Sequence, residues 1–306
     1  MALPIYTHSA CLEHDTGPGH AERRERLAAV TAALRAALPD LEWRDAPRAS
    51  RGQLLRVHED AMLHAVLETK PHERIWLDPD TVLSPRSPEA ALRAAGAVVA
   101  AVDQVMSDRN RRRAFCAVRP PGHHATGSVA MGFCLFNSIA VGAAHALEQY
   151  GLRRVAVVDF DVHHGNGTQA IFDREPRVLF ASSHQMPLYP DTGHPVERGI
   201  GNIFNVPLPP HADGRAFREA WATRLLPQID AFKPQLLMIS AGFDAHERDP
   251  LAQLRLQAED FGWITRELAA IADRHACGRM VSTLEGGYDL QGLSESCVAH
   301  VAALYD

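Results

Sequence analysis

The sequence predicts an α/β fold in which helices cover a parallel sheet. Short apolar segments near positions 115, 155, 178, 236 and 280 have the length and composition of buried strands. Helical spacing of apolar residues occurs twice, at Leu27, Val30, Leu34 and Leu38 and at Phe261, Ile264, Leu268 and Ile271. Such alternation of strands and helices is typical of a parallel sheet with helical layers. Polar residues after the strands should then meet at the carboxyl edge of the sheet, where ligands bind.

Length and composition fit one domain spanning residues 1–306. Of the 306 residues, 46% are hydrophobic, which is enough for a large core, and α/β domains of this size need not divide. No Ser/Gly-rich linker or internal repeat interrupts the chain. The cysteines are scattered without a Cys-x-x-Cys pair, which argues against disulfides and a structural zinc cluster: Cys11, Cys116, Cys134, Cys277 and Cys297.

Charge and hydropathy predict a soluble, cytoplasmic protein. The sequence has no uninterrupted apolar run of about 18 residues and no N-terminal signal peptide, so we expect no membrane association. The net charge of -6 gives no support for nucleic-acid binding. A basic cluster is expected to be a solvated helix end: Arg109, Arg111, Arg112 and Arg113. The sequence leaves the oligomeric state open and is compatible with a homo-oligomer.

Metal-ligand residue types follow two of the apolar strands. Side chains alternate along a strand, so Asp159, Asp161 and His163 should project from one side of the strand end after residues 155–158. A catalytic zinc usually takes three protein ligands, and a carboxylate with an imidazole supplies two. Asp244, after the apolar residues 236–239, is the expected third ligand. A helix-capping turn would explain a single Asp-x-His, but not a second Asp after another buried strand.

Two adjacent histidines, His123 and His124, occupy a Pro/Gly loop, residues 119–125. Proline fixes φ and glycine permits close backbone approach, so this loop can hold both rings at one site. Imidazole titrates near neutral pH, and hydrolysis by an activated water needs a base and then an acid. Asp159 is expected to orient one ring and Asn166 to face the other. Either histidine taken alone is also compatible with a core position.

Together with two further segments, these residues resemble the histone deacetylase family of the arginase/deacetylase superfamily. The matching segments follow the family's order: 119–125, 132–137, 159–169, 241–250 and 284–288. Their details are similar to the class II-like bacterial members, which are often called deacetylase-like amidohydrolases. The resemblance implies a single-domain, three-layer α/β/α fold around a mainly parallel eight-stranded sheet. It also implies one zinc ion per chain, held by Asp161, His163 and Asp244.

The resemblance also implies the catalytic roles. His124 would take a proton from water and return it to the leaving amine, while His123, paired with Asp159, would be the more charged partner. Tyr288 follows two glycines and would donate a hydrogen bond to the oxyanion, a contribution of about 3 kcal/mol to lowering the barrier. A tyrosine packed at the sheet edge is the alternative interpretation of Tyr288, and it is the less favoured one.

Two positions depart from related groups. Class I members usually have Asp at the position of Asn166, so the ring that it orients should have a lower pKa here. Arginase-type relatives have a carboxylate at the position of His246, where it holds a second metal ion. The histidine favours one zinc over a manganese pair, and therefore amide hydrolysis over guanidine hydrolysis.

Further residues of the resemblance concern the substrate. Gly132, Phe133 and Tyr189 match the walls of a tunnel for the acyl-lysine stem. A polyamine-specific relative has Glu at the position of Leu251. The apolar leucine in this chain favours peptidyl lysine over an acetylpolyamine. Asp80 matches a residue that holds the substrate's backbone amides.

The resemblance implies a second cation as well. A potassium site would use five positions: Asp159, Asp161, His163, Ser182 and Ser183. Arg26 matches an arginine on the family's acetate exit, although a solvated helix-face charge explains it equally well.

The function expected from the sequence is zinc-dependent removal of acyl groups, above all acetyl, from lysine ε-amines. The partners would be acylated lysine peptides or proteins, or acylated small amines. One alternative is a small-molecule amidohydrolase such as an acetylpolyamine deacetylase. A second is a non-catalytic acyl-lysine binding protein, which the presence of Tyr288 disfavours.

Overall fold

The computed structural model describes residues 2–108, 110 and 112–305. Within them, the strands are β1 (Pro4–Thr7), β2 (Glu42–Asp45), β3 (Ile75–Trp76), β4 (Val82–Leu83), β5 (Arg113–Cys116), β6 (Val155–Asp159), β7 (Val178–Gln185), β8 (Ile203–Leu208), β9 (Leu236–Ala241) and β10 (Met280–Leu284). Eight of them form one parallel sheet in the order β2-β1-β5-β10-β9-β6-β7-β8. Strands β3 and β4 form a separate antiparallel pair. The eight-stranded parallel sheet confirms the expectation.

The helices in this part of the chain are α1 (Ala10–Glu13), α2 (Arg24–Ala37), α3 (Arg51–Leu54), α4 (Asp60–Leu67), α5 (Ser87–Ser107), α6 (Ser138–Tyr150), α7 (Asn166–Phe172), α8 (Gly214–Ala220), α9 (Leu226–Phe232), α10 (Ala258–His275) and α11 (Leu290–Tyr305). A π-helical turn, Trp221–Leu225, joins α8 to α9. Helices α5 and α6 pack on each other and on the sheet. Helix α11 packs between α2 and α10, and these helices form a second layer. The result is the expected three-layer α/β/α arrangement.

The central strands form because their apolar residues are buried on both faces of the sheet. Every residue of β6, β7, β9 and β10 is buried. Parallel strands covered by helices on both sides have this uniform pattern, which is why they were predictable from the sequence. By contrast, β2 lies at the sheet edge, where its Glu-Trp-Arg-Asp residues are only partly buried. Its sequence therefore lacks an apolar signal.

Helix α5 is the one helix in the described ranges that is long and apolar enough to cross a membrane. Its sequence contains Glu89, Arg93 and Asp103, so it does not appear as an uninterrupted apolar run. Most of its apolar window is buried, and it packs against α6 and strands β1, β5 and β10. Its composition is therefore explained by core packing.

Not every arginine of the basic cluster lies at a helix end. Arg113 begins β5, and its guanidinium lies 3.1 Å from the Asp273 carboxylate. The expectation of a solvated helix end is therefore wrong for Arg113, because pairing with β10 extends the sheet to this residue. Arg109 and Arg111 lie outside the described residues.

Candidate active site

Three side chains converge beyond the carboxyl ends of β6 and β9. These strands are neighbours, with Asp159 paired to Ser240, so the residues that follow them meet at one edge. Asp161, His163 and Asp244 are buried, and one ligand atom from each lies within 4.8 Å of the others. The Nδ1 atom of His163 is 3.2 Å from Asp161 Oδ1 and 3.1 Å from Asp244 Oδ2. Two carboxylates and an imidazole thus face one point.

The chemistry of this group fits a zinc ion. Backbone N–H groups of His163 and Gly286 donate to the two oxygens of Asp161, at 2.9 and 2.8 Å. A Cβ at Gly286 would overlap the Asp244 carboxylate, so glycine permits the close approach. Burial, followed by the charge of Asp161, raises the pKa of Asp244 to about 7. A divalent cation would relieve this repulsion, and carboxylate oxygen with imidazole nitrogen is a zinc donor set.

The adjacent histidines have different hydrogen-bond partners. Their ring centroids are 4.0 Å apart. Nδ1 of His123 lies 2.9 Å from Asp159 Oδ2, and Nδ1 of His124 lies 2.7 Å from Asn166 Oδ1. The structure therefore places a carboxylate beside one ring and a neutral amide beside the other.

These surroundings separate the pKa values of the two rings. Burial alone would lower the pKa of His123, but the charges of Asp161 and Asp159 outweigh it and raise the pKa to about 10. Burial, followed by the positive charges of His123 and His163, holds the pKa of His124 well below its usual value. Asn166 itself favours protonation of His124 through its hydrogen bond, so burial is the main cause of the low pKa. At neutral pH His123 is cationic and His124 is neutral.

A cavity of about 240 Å³ opens above these groups, and we call it the active-site cavity. It is lined by Asp80, His124, Gly132, Phe133, His163, Leu188, Tyr189, Leu251 and Tyr288. The Tyr189 ring stands edge-on to His124 with centroids 5.2 Å apart, and Phe133 stands edge-on to Tyr288 at 5.8 Å. Tyr189 is 39% exposed, whereas Tyr288 is 8% exposed. Aromatic and apolar side chains thus connect solvent with the polar groups below.

Asp80 helps to shape the opening of the active-site cavity. Its Oδ1 atom accepts hydrogen bonds from the Gly132 backbone at 3.1 Å and from the Thr81 hydroxyl at 2.9 Å. Gly132 has φ of +57°, and a Cβ there would overlap the His124 ring. Because only glycine fits both constraints, this segment can approach His124 closely.

Sequence reasoning missed two carboxylates that organise the site. Buried Glu285 accepts the backbone N–H groups of Gly122 and His123, at 2.6 and 3.2 Å, and burial raises its pKa to about 7. Asp249 accepts the backbone N–H of Tyr288 at 2.7 Å. Both residues lie in segments that carry the resemblance. A side chain that binds backbone groups has no characteristic spacing, so only their carboxylate character was available as a signal.

Arg26 is not a solvated charge on a helix face. It is fully buried, and its guanidinium donates to Glu22 Oε1 at 2.9 Å and to the Gly287 carbonyl at 2.5 Å. The guanidinium carbon also lies 4.9 Å from the centroid of the Tyr288 ring. The solvated-charge interpretation is wrong because the turn that carries Tyr288 packs against α2.

The residues considered for potassium lie at and just after the end of β6 and within the neighbouring strand β7. Asp159 pairs in register with Ser182, and all five side chains are buried. The Ser182 hydroxyl lies 3.0 Å from His184 Nδ1, and the Ser183 hydroxyl accepts from Trp221 Nε1 at 2.9 Å.

His246, considered for its effect on a second metal, accepts the Arg248 backbone N–H through Nδ1 at 3.2 Å. It is not among the three residues that converge on one point.

Comparison with known proteins identifies the family. Residues 20–304 match the family model of the histone deacetylase domain. A probable deacetylase of Archaeoglobus fulgidus is 38% identical over 300 residues, which cover 95% of this chain and 83% of that protein. A histone deacetylase-like amidohydrolase of Pseudomonas aeruginosa is 38% identical over 297 residues, covering 94% and 77%. The crystal structure of the HDA15 HD domain matches with a TM-score of 0.93 and 33% identity, covering 100% of this chain and 89% of that one. The chain therefore belongs to the histone deacetylase family.

Proposed function

We propose that the protein is a zinc-dependent deacylase that hydrolyses the ε-amide of acyl-lysine, with acetyl-lysine as the simplest substrate. Membership of a deacetylase family supports the hydrolase class. The observation that carries the finer proposal is the convergence of a zinc donor set, a charged and a neutral histidine, and a tyrosine at one narrow cavity. When bound by Asp161, His163 and Asp244, zinc would polarise the amide carbonyl and lower the pKa of water.

In this proposal His124 is the general base. Its Nδ1 atom faces Asn166, so Nε2 is the atom available to substrate and water in the active-site cavity. Because the pKa of His124 is low, the ring is neutral and accepts the water proton at neutral pH. The protonated ring then donates to the departing lysine amine. His123 keeps its proton toward Asp159 and stabilises the negative charge that develops nearby.

Tyr288 is the proposed oxyanion donor. Burial raises the pKa of its hydroxyl well above the usual value, so the group is protonated at neutral pH. Asp249 holds its backbone N–H, and the Arg26 guanidinium lies against its ring. These contacts hold the tyrosine beside the proposed zinc ligands. From there its hydroxyl can donate a hydrogen bond to the amide carbonyl oxygen of the substrate as negative charge develops on that oxygen.

The shape of the cavity supports a lysine stem. Phe133 and Tyr189 offer aromatic surface to the four methylenes, and the acyl group would lie below among the polar residues. Asp80 stands at the opening and would accept backbone N–H groups of a peptide substrate. Leu251, also at the opening, is apolar and offers no charge to a distant ammonium.

A potassium ion is a further part of the proposal. Its support is the family resemblance together with the adjacency of Asp159 and Ser182 on neighbouring strands. Asp161, His163 and Ser183 complete the set. Removing potassium is expected to lower the zinc-loaded protein's thermal stability, which differential scanning fluorimetry in potassium and in a large organic cation would measure.

The direct test is release of the free lysine ε-amine from a series of acyl-lysine peptides by the zinc-loaded protein. We expect turnover of acetyl-lysine or of a longer acyl chain, because the cavity accepts the stem and the catalytic groups meet at its base. Absence of turnover across the whole acyl series would refute the proposal. The protein with Asp161→Ala is the matched control, since it should lose its metal and its activity together.

A small-molecule amidohydrolase is the second candidate, because the same groups would hydrolyse an acylated amine. Comparing kcat/KM for acetylpolyamines and acetyl-lysine peptides separates the two, and Leu251 leads us to expect the peptide to be preferred. A non-catalytic acyl-lysine binding protein would bind such peptides without turning them over. Tyr288 is the feature against it.

A further inference from the structure

A second depression lies beside the opening of the active-site cavity, and we call it the flanking groove. Its volume is about 810 Å³. One wall is the loop of residues 15–20 and the other is the segment of residues 72–76 that leads into β3. Neither the proposed metal site nor the proposed catalytic groups use these residues.

The imidazole of His20 lies between the flanking groove, which it lines, and the active-site cavity. Its ring centroid is 4.8 Å from Phe133, which lines the cavity, and 6.5 Å from Trp76, which lines the groove. Its Nε2 atom lies 3.2 Å from the Asp80 carbonyl oxygen. The Phe133 and Trp76 rings are therefore at most about 11 Å apart, a distance that about three extended residues, at roughly 3.4 Å each, can span. A chain that leaves the cavity opening can therefore enter the groove directly.

The chemistry of the flanking groove suits a cation. Trp76 is 59% exposed, so its ring is available to a ligand. The Asp15 carboxylate is paired with Arg74 at 3.0 Å and also feels the charge of Arg24, so it is already compensated. Glu73 is exposed and has no ion-pair partner among the described residues, and the acidic Asp80 stands at the boundary with the cavity. Exposed Glu73 and half-buried Asp80 thus place acidic groups near an aromatic face, an arrangement that attracts ammonium and guanidinium groups.

We propose that the flanking groove binds a basic side chain of the substrate polypeptide, lysine or arginine, about three residues from the acyl-lysine. This inference rests on the proposed deacylase function. The cationic group would stack on Trp76 with Glu73 as its counterion, while the peptide backbone passes Asp80. The substrate class is then a polypeptide with neighbouring basic residues, in preference to a free acylated amine.

The test is a kcat/KM comparison on acetyl-lysine peptides in which arginine is moved through the positions on both sides of the acetyl-lysine in an alanine host. Arginine near the third position should raise kcat/KM about two- to fivefold, mainly through KM, as an exposed cation–π contact allows. Citrulline there should not, because it lacks the charge. Added salt should reduce the preference.

Variants then assign the effect to the groove. Trp76→Ala and Glu73→Gln should each reduce the arginine preference while leaving turnover of acetyl-lysine amide, which has no flanking residues, unchanged. Tyr305→Ala removes another exposed aromatic side chain, at the end of α11, and should change neither. If Trp76→Ala lowered kcat/KM for an acetylpolyamine by the same factor as for the arginine-containing peptide, the inference would be overturned. The groove would then bind a free amine and not a flanking side chain.

The two proposals fail in different ways. If neither acetyl-lysine amide nor any peptide of any acyl length is hydrolysed, the deacylase proposal fails. If acetyl-lysine amide is hydrolysed but no position favours arginine, or if the preference survives Trp76→Ala, the groove inference alone fails.

Discussion

Asn166 and Asp159 give two adjacent histidines different surroundings. The neutral amide at His124 and the carboxylate at His123 lie at similar distances from the rings they face. Charge, and not geometry, therefore distinguishes the two pairs. Burial and the positive charge of His123 then keep His124 neutral, which is the state that a general base needs.

Asn166→Asp should shift the pH dependence of catalysis. A carboxylate 2.7 Å from Nδ1 would favour the protonated ring and raise the pKa of His124. Because only the neutral ring acts as base, the acidic limb of the kcat/KM profile should move to higher pH, by about one unit. A pH–rate profile of both proteins measures it. An acidic limb that stays in place would mean that another group controls it.

Tyr288→Phe removes the proposed oxyanion donor and keeps the ring. We expect kcat to fall by a factor on the order of 10², because a hydrogen bond made chiefly in the transition state is lost. Zinc content, measured by elemental analysis, should stay the same, since Tyr288 is not one of the three proposed zinc ligands. Unchanged turnover would remove Tyr288 from the catalytic groups.

The sequence was informative for residues whose type reveals their chemistry. From residue type and spacing alone, Asp161, His163, Asp244 and the histidine pair could be proposed as metal or acid–base groups. Glu285 and Asp249 could not, because they act by accepting backbone N–H groups whose positions depend on the fold. The pKa difference between the two adjacent histidines was predictable only in direction, since burial is the largest cause of the low pKa of His124.

Among the structural elements, the loop of residues 186–199 is held in part by one carboxylate. Glu197 accepts the backbone N–H groups of Gly193 and His194, at 3.1 and 2.9 Å, and the Gln169 side-chain amide at 2.6 Å. The same loop carries Tyr189 into the active-site cavity. Glu197 is thereby a positioning residue for that wall, although it does not line the cavity.

Glu197→Ala should loosen this loop. Charged hydrogen bonds contribute about 1.5–3 kcal/mol each when well made. Glu197 is partly exposed, so we expect a smaller effect, a rise in KM of about three- to tenfold with kcat within about twofold. Glu197→Gln retains one acceptor oxygen and should recover part of the loss. Val196→Ala, at an 83% exposed side chain of the same loop, is the control. A fall in kcat without a change in KM would contradict the positioning role.

Strands and loops differ in how far the sequence predicts them. The buried strands β5, β6, β7, β9 and β10 follow from apolar runs because the sheet buries both of their faces. The loops of residues 14–22 and 186–199 are held by specific hydrogen bonds such as those of Glu197, and these bonds leave no periodic pattern. The flanking groove lies partly on the first of these loops, so its existence was not predictable.

At the scale of the whole molecule, a buried ion cluster joins distant parts of the chain. Glu22 accepts two hydrogen bonds of 2.6 Å from Arg119, beside the histidine loop, and one of 2.9 Å from Arg26. Arg26 in turn holds the carbonyl of Gly287, next to Tyr288. All three charged side chains are fully buried. The cluster thus links the segment before α2 to both catalytic loops.

This cluster should make stability depend on pH. Burial would raise the pKa of Glu22, but the two arginines outweigh it and hold the pKa well below its usual value. Because the folded-state pKa is depressed, the stabilisation is present above the unfolded pKa of about 4.3 and is lost as pH falls below it. Glu22→Gln should lower the free energy of unfolding at neutral pH by on the order of 3 kcal/mol.

Urea unfolding of both proteins from neutral to acid pH checks the assignment. The difference between the two free energies should shrink as pH falls, because protonation removes the charge that the variant already lacks. Glu89→Gln, at a partly exposed carboxylate on α5, is the control and should show a much smaller difference. A difference that stays constant with pH would contradict the role of Glu22.

At this scale the sequence predicts the fold class better than it predicts the strand order and the long-range side-chain contacts. Strand and helix alternation predicts a covered parallel sheet, and the family resemblance supplies its eight strands. The pairing of β5 with β1 and β10, and the contact of Glu22 with Arg119, join residues nearly one hundred or more positions apart. Such contacts leave no local pattern. The extent of a single domain, residues 1–306, stays a prediction.

The most direct test of the account is a zinc titration of the metal-free protein, followed by acetate release from an acetyl-lysine peptide. We predict no turnover without metal and a linear rise that saturates at one zinc per chain, with Asp161→Ala inactive throughout. Full turnover by the metal-free protein, or activity that requires two manganese ions per chain, would contradict it.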